Sequence, residues 1–220
     1  MPAPPHDLVL YAYWRSSASY RVRLALARKE IPHRVVPVNI LTGEPRTDAH
    51  LSRSPTGYVP ARVIDGVAFH ESVAILELLE ELYPNPRLYP GDAFARAKVR
   101  ALVEIINAGT QPLQNLNVTT RLTDPVFRQE WTRHFVTKGL EAYERAVQAN
   151  EASGVAGRFS YGDTLTAADL VLVPQLMSAR RLGVDLAPFA RVLRAETATL
   201  AMPGLDAALP DRQPDAVRPE

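Results

Sequence analysis

Apolar positions change their period along this chain, and the change divides it. Residues 8–13 form a continuous apolar and aromatic run, the length of a buried strand. Residues 14–17 interrupt it. Residues 19–29 then read as a helix, with Tyr20, Leu24 and Ala27 on one face and Arg21, Arg28 and Lys29 on the polar side. The valine-rich stretch 34–38 predicts a second strand, followed by a long polar connection from Asn39 to about Tyr58. Residues 61–64 and 67–70 flank Asp65-Gly66, and an Asp-Gly pair between two β-prone runs predicts a hairpin with a type I′ turn. Ile75, Leu76, Leu79, Leu82 and Tyr83 recur at helical spacing, so residues 72–83 predict an amphipathic helix.

The order strand, helix, strand, long loop, hairpin, helix implies a parallel βαβ unit with a right-handed crossover, extended by an antiparallel pair and covered by the last helix. This is the thioredoxin-type arrangement. Three prolines and one glycine between Tyr83 and Gly91 cannot continue a helix and mark a boundary. Beyond it the pattern is helical throughout. Ala95, Val99, Leu102, Val103 and Ile106 define one apolar stripe, and Trp131, Phe135, Tyr143 and Val147 suit a second, long helix. A third begins at Thr166, where Thr166 and Asp169 take the places of a capping box. Its apolar body predicts a buried central helix, kinked at Pro174. The expected fold is an α/β thioredoxin-like domain over residues 7–84 and an all-α domain over 92–212. The proline-rich ends, 2–5 and 210–219, are expected to be loosely held.

Composition narrows the function. With 46% hydrophobic residues in 220, the chain can build a true core, so global disorder is excluded. Lys plus Arg (25) against Asp plus Glu (24) leaves a formal charge of +1, which gives no electrostatic argument for nucleic acid or a membrane surface. No apolar stretch approaches the ~18 residues of a membrane span. The opening residues lack a basic region and the run 8–13 is too short for a secretory signal, so the expected compartment is cytoplasmic, and the sequon at Asn117 reads as chance. Cysteine is absent, which excludes disulfides, thiolate metal centres and a cysteine nucleophile belonging to the chain. The five histidines show no metal-ligand spacing, and no GxGxxG, P-loop or GxSxG occurs, so no metal is expected.

Chemistry concentrates in a few places. Ser16, Ser17 and Ser19 lie where the first strand hands over to the first helix. An N-cap explains one serine but not three. The same place gathers free backbone N–H groups and the positive end of the helix dipole, which favour an anion such as a thiolate. Having no sulfur there, the chain would have to import one with a ligand. Val59-Pro60 before the hairpin is either a strand-edge stop or a cis peptide that turns the Val59 backbone toward an extended peptide ligand. Glu71-Ser72 opens a helix, as a cap with a dipole-compensating acid or as a receptor for an amino-acid head group. Arg180 and Arg181 end the central helix, where they compensate its dipole or face an acidic substrate.

At these residues the chain resembles the zeta class of glutathione S-transferases, over nearly its whole length. The class signature Ser-Ser-Cys-Ser-x-Arg-Val-Arg corresponds to Ser16-Ser17-Ala18-Ser19-Tyr20-Arg21-Val22-Arg23. The stretches 111–116, 172–175 and 184–186 are similar further on. The resemblance implies a glutathione-dependent cis–trans isomerase of a maleyl-type diacid, acting late in tyrosine breakdown on a small-molecule substrate, as a homodimer. It implies that Ser16, with Ser17 beside it, faces the glutathione sulfur. Val59, before Pro60, would pair with the cysteinyl backbone, and Glu71 and Ser72 would hold the γ-glutamyl end. Gln111 and Asn115 would lie near the cofactor, and Arg15 and Arg181 would hold substrate carboxylates. Transfer to α-haloacids, isomerisation of maleylpyruvate, and a non-catalytic binding domain of the same fold are the alternatives. Two departures stand out: the signature cysteine is Ala18, and Ser54 occupies a place where the class usually has Asn.

Overall fold

The computed structural model describes residues 7–217, which form two compact units: residues 7–88 together with 202–217, and residues 89–201. In the first unit, β1 (Leu8–Ala12), α1 (Ser17–Arg28) and β2 (Arg34–Pro37) are followed by a 3-10 turn (Glu44–Arg46) and the short α2 (Asp48–Leu51). Then come β3 (Ala61–Ile64), β4 (Val67–His70) and α3 (Ser72–Leu82). The sheet order is β2-β1-β3-β4, with β2 parallel to β1, and β3 antiparallel to both β1 and β4. The central place of β1 explains its unbroken apolar run, because both its faces are covered. Asp65 and Gly66 turn the hairpin at φ 48° and 83°, the left-handed values of a type I′ turn. The long polar connection is more ordered than its composition suggests, since α2 interrupts it.

The core of the first unit includes Leu10, Val22, Leu24, Leu26, Ile75, Leu76 and Leu79, all at or near zero exposure. Arg21 and Lys29, read from the sequence as polar-face residues, are buried. Lys29 inserts its ammonium between Glu80 (2.9 Å) and the carbonyls of Tyr83 (2.5 Å) and Pro86 (2.9 Å), which fixes the chain where the first unit gives way to the second. Burial pushes its pKa down, and Glu80 opposes the shift. The tail also departs from expectation. Residues 210–216 are held: Gln213 is buried, with its amide on the Ala207 and Leu209 carbonyls, Asp215 accepts from the Trp14 N–H at 3.0 Å, and the Ala216 N–H donates to the Gln213 carbonyl. Residues 2–5, 218 and 219 lie outside the described residues.

The second unit consists of α4 (Ala93–Asn107), α5 (Gln111–Gln114), α6 (Leu116–Thr119), α7 (Pro125–Ala152), α8 (Ala167–Arg181) and α9 (Ala190–Leu200). Helix α8 is its buried centre and contains Pro174 within its span. The capping box forms: the Asp169 carboxylate accepts from the Thr166 N–H (2.8 Å), the Thr166 hydroxyl (3.1 Å) and the Ser160 N–H (2.8 Å). Gly139 on α7 sits so close to Thr110 that a Cβ there would lie 2.0 Å from the Thr110 hydroxyl oxygen, so only glycine lets α7 approach the start of α5. No helix among the described residues is long and apolar enough to cross a membrane.

Buried polar groups affect stability in both directions. Asp169→Ala leaves the Ser160 and Thr166 N–H groups without their buried acceptor and should cost about 3 kcal/mol, lowering Tm by roughly 6–12 °C in a chain of this size. A calorimetric shift under about 2 °C would count against this. Arg62 is the opposite case. It is fully buried on β3, on the sheet face of Leu10 and Phe69, and none of its guanidinium nitrogens has a hydrogen-bond partner among the described residues. Burial lowers its pKa from the usual guanidinium range to about 10, with Tyr83 opposing the shift. Arg62→Met should therefore stabilise the fold by about 2 kcal/mol at pH 7. The unfolded chain holds the Arg62 proton more tightly than the folded one. The parent's penalty is thus full below about pH 10 and relaxes as the pH rises further, so the advantage of the variant should shrink there. Urea unfolding of both proteins at pH 7 and above pH 10 measures this.

Candidate functional site

The sheet register brings three chain segments to one edge of the first unit. Tyr11 pairs with Ala61 and Ala61 with His70, so the end of β1, the start of β3 and the end of β4 lie side by side. The β1–α1 turn, the residues before β3 and the first turn of α3 leave from that edge. Ser16 and Ser17, Val59 and Pro60, and Glu71 and Ser72 are therefore neighbours because of the topology.

Ser16 is the N-cap of α1, and its Oγ accepts from the Ser19 N–H at 3.2 Å. This cap leaves the hydroxyl proton available to donate, so capping and anion binding are compatible roles. Ser17 is the first residue of α1 and is half-buried. Ser19 is a structural residue: it is buried, with its Oγ accepting from the Tyr13 N–H at 3.4 Å. Arg15 is exposed, with its guanidinium 5.4 Å from the centre of the Trp14 ring.

Two residues hold this turn in a role that the sequence does not announce, although Arg23 belongs to the class signature. Arg23 is 2% exposed. Its nitrogens donate to the carbonyls of Ala208 (3.0 Å), Tyr13 (3.4 Å) and Trp14 (3.1 Å). Burial lowers its pKa to about 10, partly offset by Tyr20 and Asp215. The second is Asp215 itself, on the Trp14 N–H. Both act across long stretches of sequence, 185 residues for Arg23 to Ala208 and 201 for Trp14 to Asp215, so no local pattern announces them.

Val59 is buried with Tyr13 and Val38 in a small apolar cluster, against which Tyr11, Trp14 and Ile40 pack. The Val59–Pro60 peptide bond is cis. At α3 the cap residue is Glu71 rather than Ser72. Glu71 has φ 65°, and no side chain caps the helix. A positive φ costs a glutamate roughly 1 kcal/mol. Its side chain projects into solvent, 3.9 Å from His70 Nδ1. Ser72 opens the helix, buried, with its Oγ accepting from Arg21 Nη1 at 2.9 Å. The buried Arg21 thus links α1 to the start of α3, within the stretch 16–23 that carries the serines.

The remaining candidates lie in the second unit. Gln111 begins α5 and is buried, and its Nε2 has no hydrogen-bond partner among the described residues. Asn115 is exposed at the junction of α5 and α6. Arg180 forms a bidentate pair with Glu196, at 2.5 Å to each oxygen, so its charge is committed. Arg181 is exposed and donates to the Ser178 hydroxyl at 2.9 Å.

Residues 10–87 match the family model for the N-terminal domain of glutathione S-transferase. Over 94% of its length the chain is 43% identical to a probable maleylacetoacetate isomerase 2 of Drosophila melanogaster, covering 89% of that protein. It is 40% identical to a zeta-class glutathione S-transferase of Euphorbia esula, with 96% of this chain and 94% of that one covered. A crystal structure of maleylacetoacetate isomerase from Anaeromyxobacter dehalogenans 2CP-1, with bound GSH in the active site, superposes with a TM-score of 0.85 at 46% identity, covering 96% and 98% of the two chains.

Removing the Ser72 hydroxyl strips a buried guanidinium of an acceptor. Ser72→Ala should lower unfolding free energy by about 2 kcal/mol, measured by urea titration without any ligand. A change below about 0.5 kcal/mol would show that Arg21 does not rely on Ser72.

Proposed function

Because the chain belongs to the zeta class of glutathione S-transferases, we propose that it is a glutathione-dependent cis–trans isomerase. Its substrate would be a maleyl-type diacid, converted as maleylacetoacetate to fumarylacetoacetate in tyrosine and phenylalanine breakdown. The observation that carries this reading is the pair of helix N-termini at one sheet edge: α1 with a hydroxyl that can donate, and α3 with no capping side chain.

That donor set fits a γ-glutamyl tripeptide bearing a thiol. The first turn of α3 and the Ser72 hydroxyl suit a carboxylate, the Glu71 carboxylate suits the ammonium beside it, and the main-chain groups of Val59 suit a peptide. Ser16 and Ser17 suit the sulfur. Gln111 and Asn115, of the second unit, are proposed as cofactor-binding residues on the family resemblance. The first unit, residues 7–88 with 202–217, would thus form the cofactor domain and residues 89–201 the substrate domain; the all-α domain expected over 92–212 ends earlier because 202–212 pack with the first unit.

Glutathione, when bound, supplies a sulfur nucleophile that adds reversibly to the cis double bond and is not consumed. The chain keeps that sulfur ionised. A free thiol titrates near pH 8.5, and lowering this by about two units takes about 2.7 kcal/mol, within reach of a serine hydrogen bond plus the α1 dipole. Arg15 and Arg181 are assigned to the substrate carboxylates, where a guanidinium also steadies charge that develops on the diacid. Ala18 removes the cysteine that mixed-disulfide dehalogenation requires, which favours isomerisation over transfer to an α-haloacid. The proposed assembly is a homodimer and the proposed compartment the cytoplasm.

The decisive test follows maleylacetoacetate, maleylpyruvate and an α-haloacid by ultraviolet absorption or NMR, with and without glutathione, while counting free thiol. Isomerisation should need glutathione and leave thiol constant. Falling thiol would indicate transfer instead. If millimolar glutathione fails to raise Tm, the binding reading fails too. Ser16→Ala should raise the pH at which activity appears by about one unit and lower turnover at pH 7 roughly tenfold.

A further inference from the structure

The chain entering β3 is fastened by two buried side chains that the proposed chemistry does not use. His50, on α2, is 3% exposed, and its Nε2 lies 3.0 Å from the Tyr58 carbonyl oxygen. A carbonyl only accepts, so Nε2 carries the proton. The other ring nitrogen, Nδ1, is buried with no hydrogen-bond partner among the described residues. Ser54, 1% exposed, accepts at its Oγ from the Tyr58 N–H at 3.3 Å. Both main-chain groups of Tyr58 are therefore held, although its ring is exposed at the surface.

The clamp is itself anchored. The Ser54 and Arg53 N–H groups donate to the His50 carbonyl at 2.9 Å, and the Arg53 guanidinium lies 4.4 Å from the centre of the Tyr11 ring on β1. Between Ser54 and Tyr58 the chain turns through Gly57 at φ 69°, whose N–H donates back to the Ser54 carbonyl at 2.8 Å. The residue after Tyr58 is Val59. A ligand that pairs with main-chain groups depends steeply on their distance and angle, and pays less entropy when they are already ordered.

We propose that His50, assisted by Ser54, is a positioning residue for glutathione. It pre-sets the Tyr58–Val59 main chain in the form that the tripeptide backbone pairs with. This rests on the reading that Val59 receives glutathione. His50 touches neither the cofactor nor the diacid in this role, so it governs cofactor affinity and not the chemical step.

The test is calorimetric titration of the full chain with glutathione. His50→Phe keeps a ring in the buried space and removes the donor; it should weaken binding about five- to tenfold. His50→Gln returns an amide N–H at the reach of Nε2 and should restore affinity to within about twofold, whereas His50→Asn reaches only as far as Nδ1 and should resemble Phe. In turnover, the KM for glutathione should rise in the Phe and Asn variants while kcat at saturating glutathione holds within about twofold. Parent-like affinity in His50→Phe, or a Gln variant as weak as Phe, overturns the clamp. If the Phe variant does not fold, equal affinities of the Gln and Asn variants overturn it. A parent chain that binds no glutathione overturns the underlying reading together with the clamp, whereas failure of the clamp alone leaves a parent that binds.

Discussion

The candidate site depends on one buried cation. Arg23 places its guanidinium against the carbonyls of Tyr13 and Trp14, the two residues that leave β1, and against Ala208 from the far end of the chain. Burial works against that charge strongly enough to bring its pKa to about 10. It stays charged at neutral pH because three carbonyl oxygens accept its hydrogen bonds and Asp215 lies near. In return, the turn that carries Arg15 and Ser16 is fixed from beneath, and the serine hydroxyl starts α1 with a defined direction.

The same device recurs at the other half of the site. Arg21, two residues earlier on α1, reaches the Ser72 hydroxyl and so sets the start of α3 relative to the start of α1. Glu71 then takes a backbone conformation that its β-carbon disfavours. A strained residue persists only where its surroundings determine it, and here α3 begins immediately after it with a buried, hydrogen-bonded serine. Two arginines of one helix thus organise two helix N-termini. Arg62 shows by contrast what an arginine contributes without such acceptors: a buried charge on β3 whose nitrogens find no hydrogen bond among the described residues.

The second unit is organised differently, by packing around α8 and a polar knot at the start of that helix. Helix α8 is buried almost throughout, and its start is fixed by Asp169 with Thr166 and Ser160, while Tyr143 from α7 donates to the Ala168 carbonyl at 3.1 Å and accepts from the Ser160 hydroxyl at 2.8 Å. Arg180 and Glu196 then tie the end of α8 to α9. The two adjacent arginines therefore differ in role: Arg180 joins two helices through a carboxylate, whereas Arg181 stands at the surface with a hydrogen bond to Ser178 of its own helix.

The strands, the hairpin turn, the main helices and the capping box are all legible in the linear order of residues, because each rests on local periodicity or on chemistry within a few positions. Ser16, Val59, Glu71 and Ser72 are legible for the same reason, since helix starts and a proline before a strand are local features. Which polar side chains become buried is a matter of long-range packing. Arg21, Arg23 and Lys29 look like solvent residues in any window of sequence, and each reaches a distant partner: 51 residues away for Arg21, 185 for Arg23 and 51 for Lys29. Long-range packing also holds the proline-rich tail, whose composition suggests a loose end, through Gln213 and Asp215. A hydrogen bond between distant segments leaves no period in the sequence; it exists only once the chain has brought its two ends together.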